Sequence, residues 1–246
     1  MNITKRMVRI VERLTHAHIL RVLPRGVDTF YDLRIYVPHL KMEMIFDIGA
    51  NVGQSCRTYI ERAPHSQIYC FEPVEQTFLT LQHNFREYER VHKFKLAFGA
   101  VRGKGNMRLE GPSDMFFLEK LTTESAPGAA LEEVAIDTVD HFCFDTNINH
   151  INYLKVDTEG GDLDVLLGAK KMLQSHLIDL VEVEAGMNPK NHKHVRFEIL
   201  KGFLEEKGYF TFGIYEQMHE WPSKEPHLRR INAVFISSNV MENNRK

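Results

Sequence analysis

One polar motif sets an acid, two glycines and an asparagine at alternate positions: Asp47, Gly49, Asn51 and Gly53. It lies between an apolar run and a helix-like stretch, which is typical of a turn joining a strand to a helix. Glycine lets the backbone turn tightly and approach a ligand with no Cβ in the way. Free N–H groups at the start of the next helix favour a carboxylate or phosphate. The motif therefore predicts a cradle for a nucleotide-like cofactor, with a simple tight corner as the alternative.

The acids around this turn favour one cofactor over another. The dinucleotide fingerprint G-x-G-x-x-G requires a third glycine, but Cys56 stands three residues beyond Gly53. Asp47 would repel a pyrophosphate, whereas it suits the ammonium of a methionine moiety. Glu72 ends the second predicted strand, where a carboxylate can accept hydrogen bonds from both ribose hydroxyls. Together these acids favour S-adenosylmethionine over NAD.

Three further acids lie at the ends of later strands and could serve methyl transfer: Asp157, Glu159 and Glu184. Transfer from a sulfonium requires the acceptor oxygen to lie in line with the methyl–sulfur bond and to lose its proton. Positioning supplies most of the rate, and a general base adds roughly 10²–10⁴-fold. Asp157 and Glu159 are the candidate bases, and Glu184 is a candidate substrate ligand. Alternatively, the three acids hold Mg²⁺ with several waters; the metal-free interpretation is favoured, but both stay open.

The segment EQMHEWPSKEPHLRR (residues 216–230) joins the last two predicted strands. It carries His219, a second candidate base, with Trp221 and His227 as candidate substrate ligands. An aromatic ring beside charged and hydrogen-bonding groups is a natural platform for a sugar. The equally open alternative is a surface hairpin with a packed Trp221.

The elements that must position these residues alternate along the chain. Strand-like runs lie at 44–48, 68–72, 93–98, 152–157, 178–184, 209–215 and 231–237, and helix-like stretches at 53–62, 75–87, 161–174 and 193–207. Such alternation predicts parallel βαβ units in a doubly wound α/β sheet, with the last two strands as an antiparallel pair at one edge. Residues 103–132 are rich in Gly, Pro, Ser and Thr and are predicted to form an irregular excursion or lid.

The N-terminal stretch has apolar residues at helical spacing over 3–22, with basic residues between them. One interpretation is a basic amphipathic helix that touches a membrane surface or an acidic partner. The favoured interpretation is a helix packed on its own domain or on a second copy in a homo-oligomer. We therefore predict a helical extension over 1–26 and one domain over 27–246.

Composition narrows the class of protein. The chain has 246 residues, of which 43% are apolar and 26% charged, with a net charge of −2. This composition fits a globular protein and implies no general attraction to nucleic acid. The three cysteines have no metal-binding spacing and suggest reduced thiols in the cytoplasm. No apolar run reaches the ~18–20 residues of a membrane span.

Four segments resemble the FkbM family of S-adenosylmethionine-dependent methyltransferases: FDIGANVG (46–53), YCFEPVEQTFLTLQHNF (69–85), LKVDTEGGDLDVLLGAKKML (154–173) and LVEVEAG (180–186). The block K-x-D-x-E-G is the family's distinctive stretch. The resemblance implies the class I methyltransferase fold, a seven-stranded, mostly parallel sheet with an antiparallel edge strand and helices on both faces. It also implies O-methylation, often of a sugar in an antibiotic, glycolipid or surface polysaccharide.

The resemblance also implies roles for individual residues. The cofactor-binding set around the methionine moiety, the ribose and the adenine would be Asp47, Gly49, Asn51, Gly53, Glu72, Pro73, Val74, Ala97 and Asp157. Asp162 stands where the family has a glutamate, so its side chain is one methylene shorter.

We therefore expect an enzyme that methylates a hydroxyl of a saccharide, a glycolipid or a related natural product. An NAD-dependent oxidoreductase is one alternative, which the missing third glycine disfavours. A catalytically silent module that binds the cofactor is the other.

Overall fold

The computed structural model describes residues 22–109, 111, 113, 116–118, 130–191, 193–220 and 223–245. The predicted helix over 3–22 lies outside these residues except for its last position, and Trp221 also lies outside them. Among the helices described, none combines the length and the apolar composition that crossing a lipid bilayer requires.

Seven strands form the main sheet, in the order β10–β11–β9–β8–β1–β2–β3. They are β1 (Met44–Ile48), β2 (Gln67–Phe71), β3 (Val91–Phe94), β8 (Ile151–Val156), β9 (Ile178–Gly186), β10 (Tyr209–Glu220) and β11 (Glu225–Ser237). Strand β11 is antiparallel to both of its neighbours, and the other strands share one direction. The predicted α/β class, the mostly parallel sheet and the antiparallel pair at one edge are confirmed. The antiparallel strand itself lies one place in from the edge.

Helices cover both faces of this sheet. They are α1 (Thr29–Tyr36), α2 (Gln54–Arg62), α3 (Glu75–Asn84), α4 (Val139–Asp145), α5 (Asp162–Gly168), α6 (Lys170–Gln174), α7 (Phe197–Glu205) and α8 (Ser238–Asn243). Successive strand residues face opposite sides. Phe46 and Leu154 therefore pack against α4 to α7, whereas Ile45 and Tyr153 pack against α1, α2, α3 and α8.

A second sheet takes up part of the segment that was predicted as an irregular lid. Its strands are β4 (Ala97–Phe98), β5 (Gly103–Arg108), β6 (Phe117–Leu118) and β7 (Leu131–Asp137), in the order β4–β7–β5–β6. The described part of 103–132 is thus partly regular, and the single predicted strand 93–98 is two strands in different sheets. Strand β5, GKGNMR, has no apolar run, so it is its pairing with β7, rather than its own composition, that makes it a strand.

The segment 216–230 belongs to a hairpin, which was one of the two open interpretations, because β10 continues to Glu220 and β11 begins at Glu225. The outer part pairs with irregular register, for example His219 opposite Leu228. Most residues of this outer part are exposed on both strands. The outer part therefore lacks the alternation of apolar residues that identifies a half-buried strand in a sequence.

The third predicted helix is also divided, into α5 and α6, and the fourth begins at Phe197 instead of residue 193. The side chain of Asn191 accepts hydrogen bonds from the backbone N–H groups of Lys193 and His194, at 3.1 and 3.5 Å. Such local bonds compete with helix formation. Residues 187–196 therefore form a connection between β9 and α7, which we call the His194 loop.

Candidate active site

The glycine turn lies between β1 and α2, as predicted, and is tied to both neighbouring strands. Gly49 has a φ of +83°, and the N–H groups of Gly49 and Ala50 both donate to the carbonyl of Phe71 at the end of β2. A Cβ on Gly49 would lie 1.9 Å from the carbonyl oxygen of Asp157. Glycine is therefore required here by the close approach of the chain's own backbone from β8.

Glu72 is fixed directly beside this turn. Its side chain is buried, and its two oxygens accept hydrogen bonds from the backbone N–H groups of Asn51 (3.1 Å) and Val74 (3.0 Å). Burial raises the pKa of this carboxyl to about 7, although these two bonds oppose the shift. Glu72 is thus held by the backbone of the turn that follows Asp47.

Asp47 lies beneath the turn and is completely buried. Neither of its oxygens has a hydrogen-bond partner among the described residues, and the nearest cation is the Lys155 Nζ, 3.9 Å from Oδ1. Burial raises the pKa of Asp47 to about 6, and Lys155 limits that rise.

Lys155 lies between Asp47 and Asp157 and is the basic partner of both. It was not among the predicted site residues. Its ammonium donates to Asp157 Oδ2 at 2.9 Å. Burial opposes the charge on Lys155, but Asp157, Asp47 and Glu182 together keep its pKa above the ordinary value. Burial would raise the pKa of Asp157, yet Lys155, Arg230 and His194 lower it. The K-x-D spacing is the signal for this pair, since it places both side chains on one face of a strand.

Glu159 and Glu184 meet through a histidine from the His194 loop. The His194 Nε2 lies 2.8 Å from Glu184 Oε2 and 3.4 Å from Glu159 Oε2. The same Glu159 oxygen is 2.8 Å from Lys193 Nζ, and Arg230 pairs with Glu184. Burial lowers the pKa of His194, but the two glutamates outweigh burial and raise it to about 9.

The backbone at Glu159 is unusual and held by the same loop. Glu159 has a φ of +53°, which is uncommon for a residue with a side chain, and Gly160 follows at +107°. A Cβ on Gly160 would lie 2.2 Å from the carbonyl oxygen of Lys193. Strained backbone of this kind persists where surrounding structure enforces it, and it is frequent at functional sites.

Asp162, the shorter acid at the start of α5, is completely buried. Its Oδ2 accepts from the Gly160 N–H at 3.2 Å, and its Oδ1 has no hydrogen-bond partner among the described residues. Burial, with Asp157 and Glu184 nearby, raises its pKa to about 8, so this acid is mainly protonated at neutral pH.

The other predicted site residues divide into two groups. Pro73 is buried at the turn after β2, and Val74 and Ala97 pack in one apolar cluster with Met107 and Val134. His219 and His227 are exposed on the outer hairpin, and neither has a recorded contact with Asp157 or Glu159 among the described residues. The structure therefore does not bring His219 to the acids.

Lys193, His194 and Arg230 were not among the predicted site residues. None of them belongs to a spaced motif, and Lys193 and His194 meet Glu159 only because the His194 loop returns to it. Of the three, only Arg230 lay in a segment that was predicted to contact the substrate, residues 216–230.

The chain matches the family model described as "Methyltransferase FkbM domain" over residues 47–211. Among curated relatives, it is 24% identical over 142 residues to the 2-O-methyltransferase NoeI of Sinorhizobium fredii, covering 53% of this chain and 58% of that protein. It is 28% identical over 152 residues to the hexuronic acid methyltransferase AglP of Haloferax volcanii, covering 61% of this chain and 59% of that protein. The chain is also 28% identical over 206 residues to Methyltransferase 1 of Beauveria bassiana, covering 74% of this chain and 77% of that protein. The matched part thus spans less than two thirds of the first two relatives.

Replacing Gly49 with alanine tests the close approach of β8 to the turn. We expect Gly49→Ala to lower the free energy of unfolding by more than about 2 kcal/mol, because the new Cβ meets a carbonyl oxygen and φ is positive. Urea unfolding measures this change. Gly202→Ala is the matched control, since its Cβ would meet no atom within 4 Å. Equal stability of the two variants would contradict the contact.

Removing the Lys155 ammonium tests its role as the shared partner of the buried acids. We expect Lys155→Met to cost about 3–5 kcal/mol of unfolding free energy near neutral pH, because the carboxylates lose their countercharge. The pKa of Asp47 should rise further above about 6, so the folded variant binds more protons than the unfolded chain. The loss should therefore shrink as pH falls from about 7 to about 5.

Unfolding followed at several pH values checks this prediction. Lys104→Met is the control, because Lys104 and its partner Glu133 are both well exposed and their pair contributes little. A pH-independent loss in Lys155→Met would argue against buried charge as the cause.

Proposed function

The chain belongs to the FkbM methyltransferase family, and we propose that it transfers a methyl group from S-adenosylmethionine to a hydroxyl of a saccharide or glycolipid. The observation that carries this proposal is the Glu72 carboxylate, held by the backbone of the glycine turn. The names of two relatives, a 2-O-methyltransferase and a hexuronic acid methyltransferase, support a sugar acceptor. Three buried free thiols suit a reducing compartment, so we place the reaction in the cytoplasm.

The residues present fit S-adenosylmethionine. Glu72 would accept bonds from the ribose hydroxyls, and the apolar cluster of Val74 and Ala97 would contact the adenine. Asp47 is a buried carboxylate without a hydrogen-bond partner among the described residues, and its negative charge beneath the turn would favour the methionine ammonium. Asn51 and Gly53 would complete the turn around that moiety.

When bound, S-adenosylmethionine supplies a methyl group on a positively charged sulfur. The chain must then bind the acceptor, align its oxygen and take up the hydroxyl proton as the new C–O bond forms. Asp157 is a weak base, because its cationic neighbours lower its pKa. Glu159 also faces two cations, Lys193 and His194, but its left-handed backbone is of the kind that is frequent at functional sites. We assign proton removal to Glu159 on that ground, and the orientation of its carboxylate to these two neighbours.

A Mg²⁺ ion held by Asp157, Glu159 and Glu184 does not enter this proposal. Lys155 neutralises Asp157, Lys193 and His194 face Glu159, and Arg230 pairs with Glu184. A cation bound by all three acids would have to displace these partners. The predicted homo-oligomer and the membrane contact through 3–22 stay predictions.

Cofactor binding can be tested by calorimetric titration with S-adenosylhomocysteine. We expect the wild-type protein to bind and Glu72→Ala to bind at least roughly tenfold more weakly, because hydrogen bonds to a charged group contribute about 1.5–3 kcal/mol. Glu87→Ala is the control, as Glu87 is a surface glutamate with 79% side-chain exposure. Failure of the wild type to bind would refute the assignment of the cofactor.

Catalysis can be tested by release of S-adenosylhomocysteine from S-adenosylmethionine with methyl glycosides of hexoses, deoxyhexoses and hexuronic acids. We expect turnover on at least one class, and Glu159→Gln should lower kcat by about 10²–10⁴-fold with unchanged affinity for S-adenosylhomocysteine. Glu205→Gln, on the surface of α7, is the control. Tight cofactor binding without turnover on any glycoside would support the silent module instead.

A further inference from the structure

His194 is a buried side chain in the His194 loop, and it faces the two glutamates with one particular ring nitrogen. Its side chain is only 5% exposed. Nε2 lies between the Oε2 atoms of Glu184 and Glu159, at 2.8 and 3.4 Å. Glu184 is on β9 and pairs with Arg230 of the neighbouring β11, so it is rigidly placed. Glu159 lies in a turn, with Lys193 as its other recorded partner among the described residues.

Asn191 determines where the hydrogen of this ring sits. The Asn191 Oδ1 accepts from the backbone N–H groups of Lys193 and His194, which fixes the orientation of the buried amide. Its Nδ2 consequently faces His194 Nδ1 at 2.7 Å and donates to it. A flipped amide would set its NH₂ group against two N–H donors. In the neutral ring Nδ1 is therefore the acceptor and Nε2 carries the hydrogen. In the doubly protonated ring both nitrogens carry one, so Nε2 has a hydrogen in either form, but the Asn191 NH₂ group opposes the second proton on Nδ1.

We propose that His194 is a positioning residue for methyl transfer, whose Nε2–H bridges Glu184 and Glu159 and so holds the Glu159 carboxylate in place. This inference rests on the proposed function, in which Glu159 takes the proton of the acceptor hydroxyl. As the bond between the acceptor oxygen and the methyl carbon forms, the C–S bond breaks and its electron pair stays on sulfur. The hydroxyl proton passes to Glu159, so a displaced carboxylate would miss it.

The surrounding backbone is built to hold His194 at this spot. The Gly186 N–H at the end of β9 donates to the carbonyl of Val195 at 2.8 Å. The side-chain amide of Asn191 donates to the carbonyl of Arg229 at 3.4 Å. On the other side, Gly160 gives room for the carbonyl of Lys193. The His194 loop is thus anchored to β9, to β11 and to the turn that carries Glu159.

The same three side chains could instead gather around a divalent cation, since their ligand atoms lie within 4.8 Å of one another. Binding through Nε2 requires that this nitrogen lose its hydrogen and that Nδ1 carry one. Asn191 presents a donor to Nδ1 and so opposes that arrangement. A hydrogen on Nε2, facing both glutamates, is therefore the arrangement that the neighbouring residues support.

The first test requires neither cofactor nor acceptor. A long-range ¹H–¹⁵N spectrum of the ¹⁵N-histidine-labelled protein reports which nitrogen of each ring carries hydrogen, and His194→Gln identifies the signals of His194. We expect a protonated Nε2 whose signals stay sharp when Mn²⁺ is added. A ring protonated only at Nδ1, or selective broadening of this ring by Mn²⁺, would overturn the proposal.

The second test separates positioning from general stability. His194→Gln places an amide N–H near the position of Nε2, whereas His194→Ala removes the donor. We expect His194→Ala to lower kcat by roughly 10–100-fold, with the KM for S-adenosylmethionine and the affinity for S-adenosylhomocysteine unchanged. His194→Gln should recover most of that loss, and a chelator should change neither the wild type nor the variant.

Equal loss in the two variants, or inactivation by the chelator, would refute the bridge. Failure of the proposed function looks different, because the wild-type protein would then bind no S-adenosylhomocysteine or turn over no glycoside. The spectrum would still decide the position of the ring hydrogen in that case.

Discussion

A single buried ammonium holds the acidic end of the main sheet together. Lys155 lies opposite Asp47 of β1 on one side and opposite Glu182 of β9 on the other, and it donates to Asp157 on its own chain segment. Without it, carboxylates from three adjacent strands would lie close together in the protein interior, where an unpaired charge costs several kcal/mol. The turns after β1 and β8 are in backbone contact, so their geometry depends on this shared countercharge.

Each carboxylate of the site has its own set of basic partners, although His194 is shared by two of them. Asp157 has Lys155, Glu159 has Lys193 and His194, and Glu184 has Arg230 and His194. These partners come from β8, from the His194 loop and from β11, and they orient the carboxylates before any ligand arrives. Catalysis by positioning requires side chains that are already locked in this way.

The accuracy of the sequence-based predictions followed the strength of local patterns. The apolar runs of β1, β2, β8 and β9 were located to within two residues at their ends, because these strands are buried on both faces and apolar almost throughout. Strand β5 and the outer hairpin were missed, since their pairing, and not their composition, makes them strands. The turn residues around Asp47 and Glu72 were found because glycine follows the end of the first strand and Pro73 follows the end of the second.

The sequence by itself determined the α/β class, the glycine turn, the acid at the end of each central strand and the family, since all of these depend on residues that are neighbours in the chain. Only the tertiary structure decided which cations face Asp47, Glu159 and Glu184. Lys155 of β8 lies beside Asp47 of β1, and His194 of the loop after β9 lies beside Glu159 of the turn after β8. Such contacts depend on register, on loop paths and on the orientation of one asparagine amide, and spacing along the chain carries no record of them.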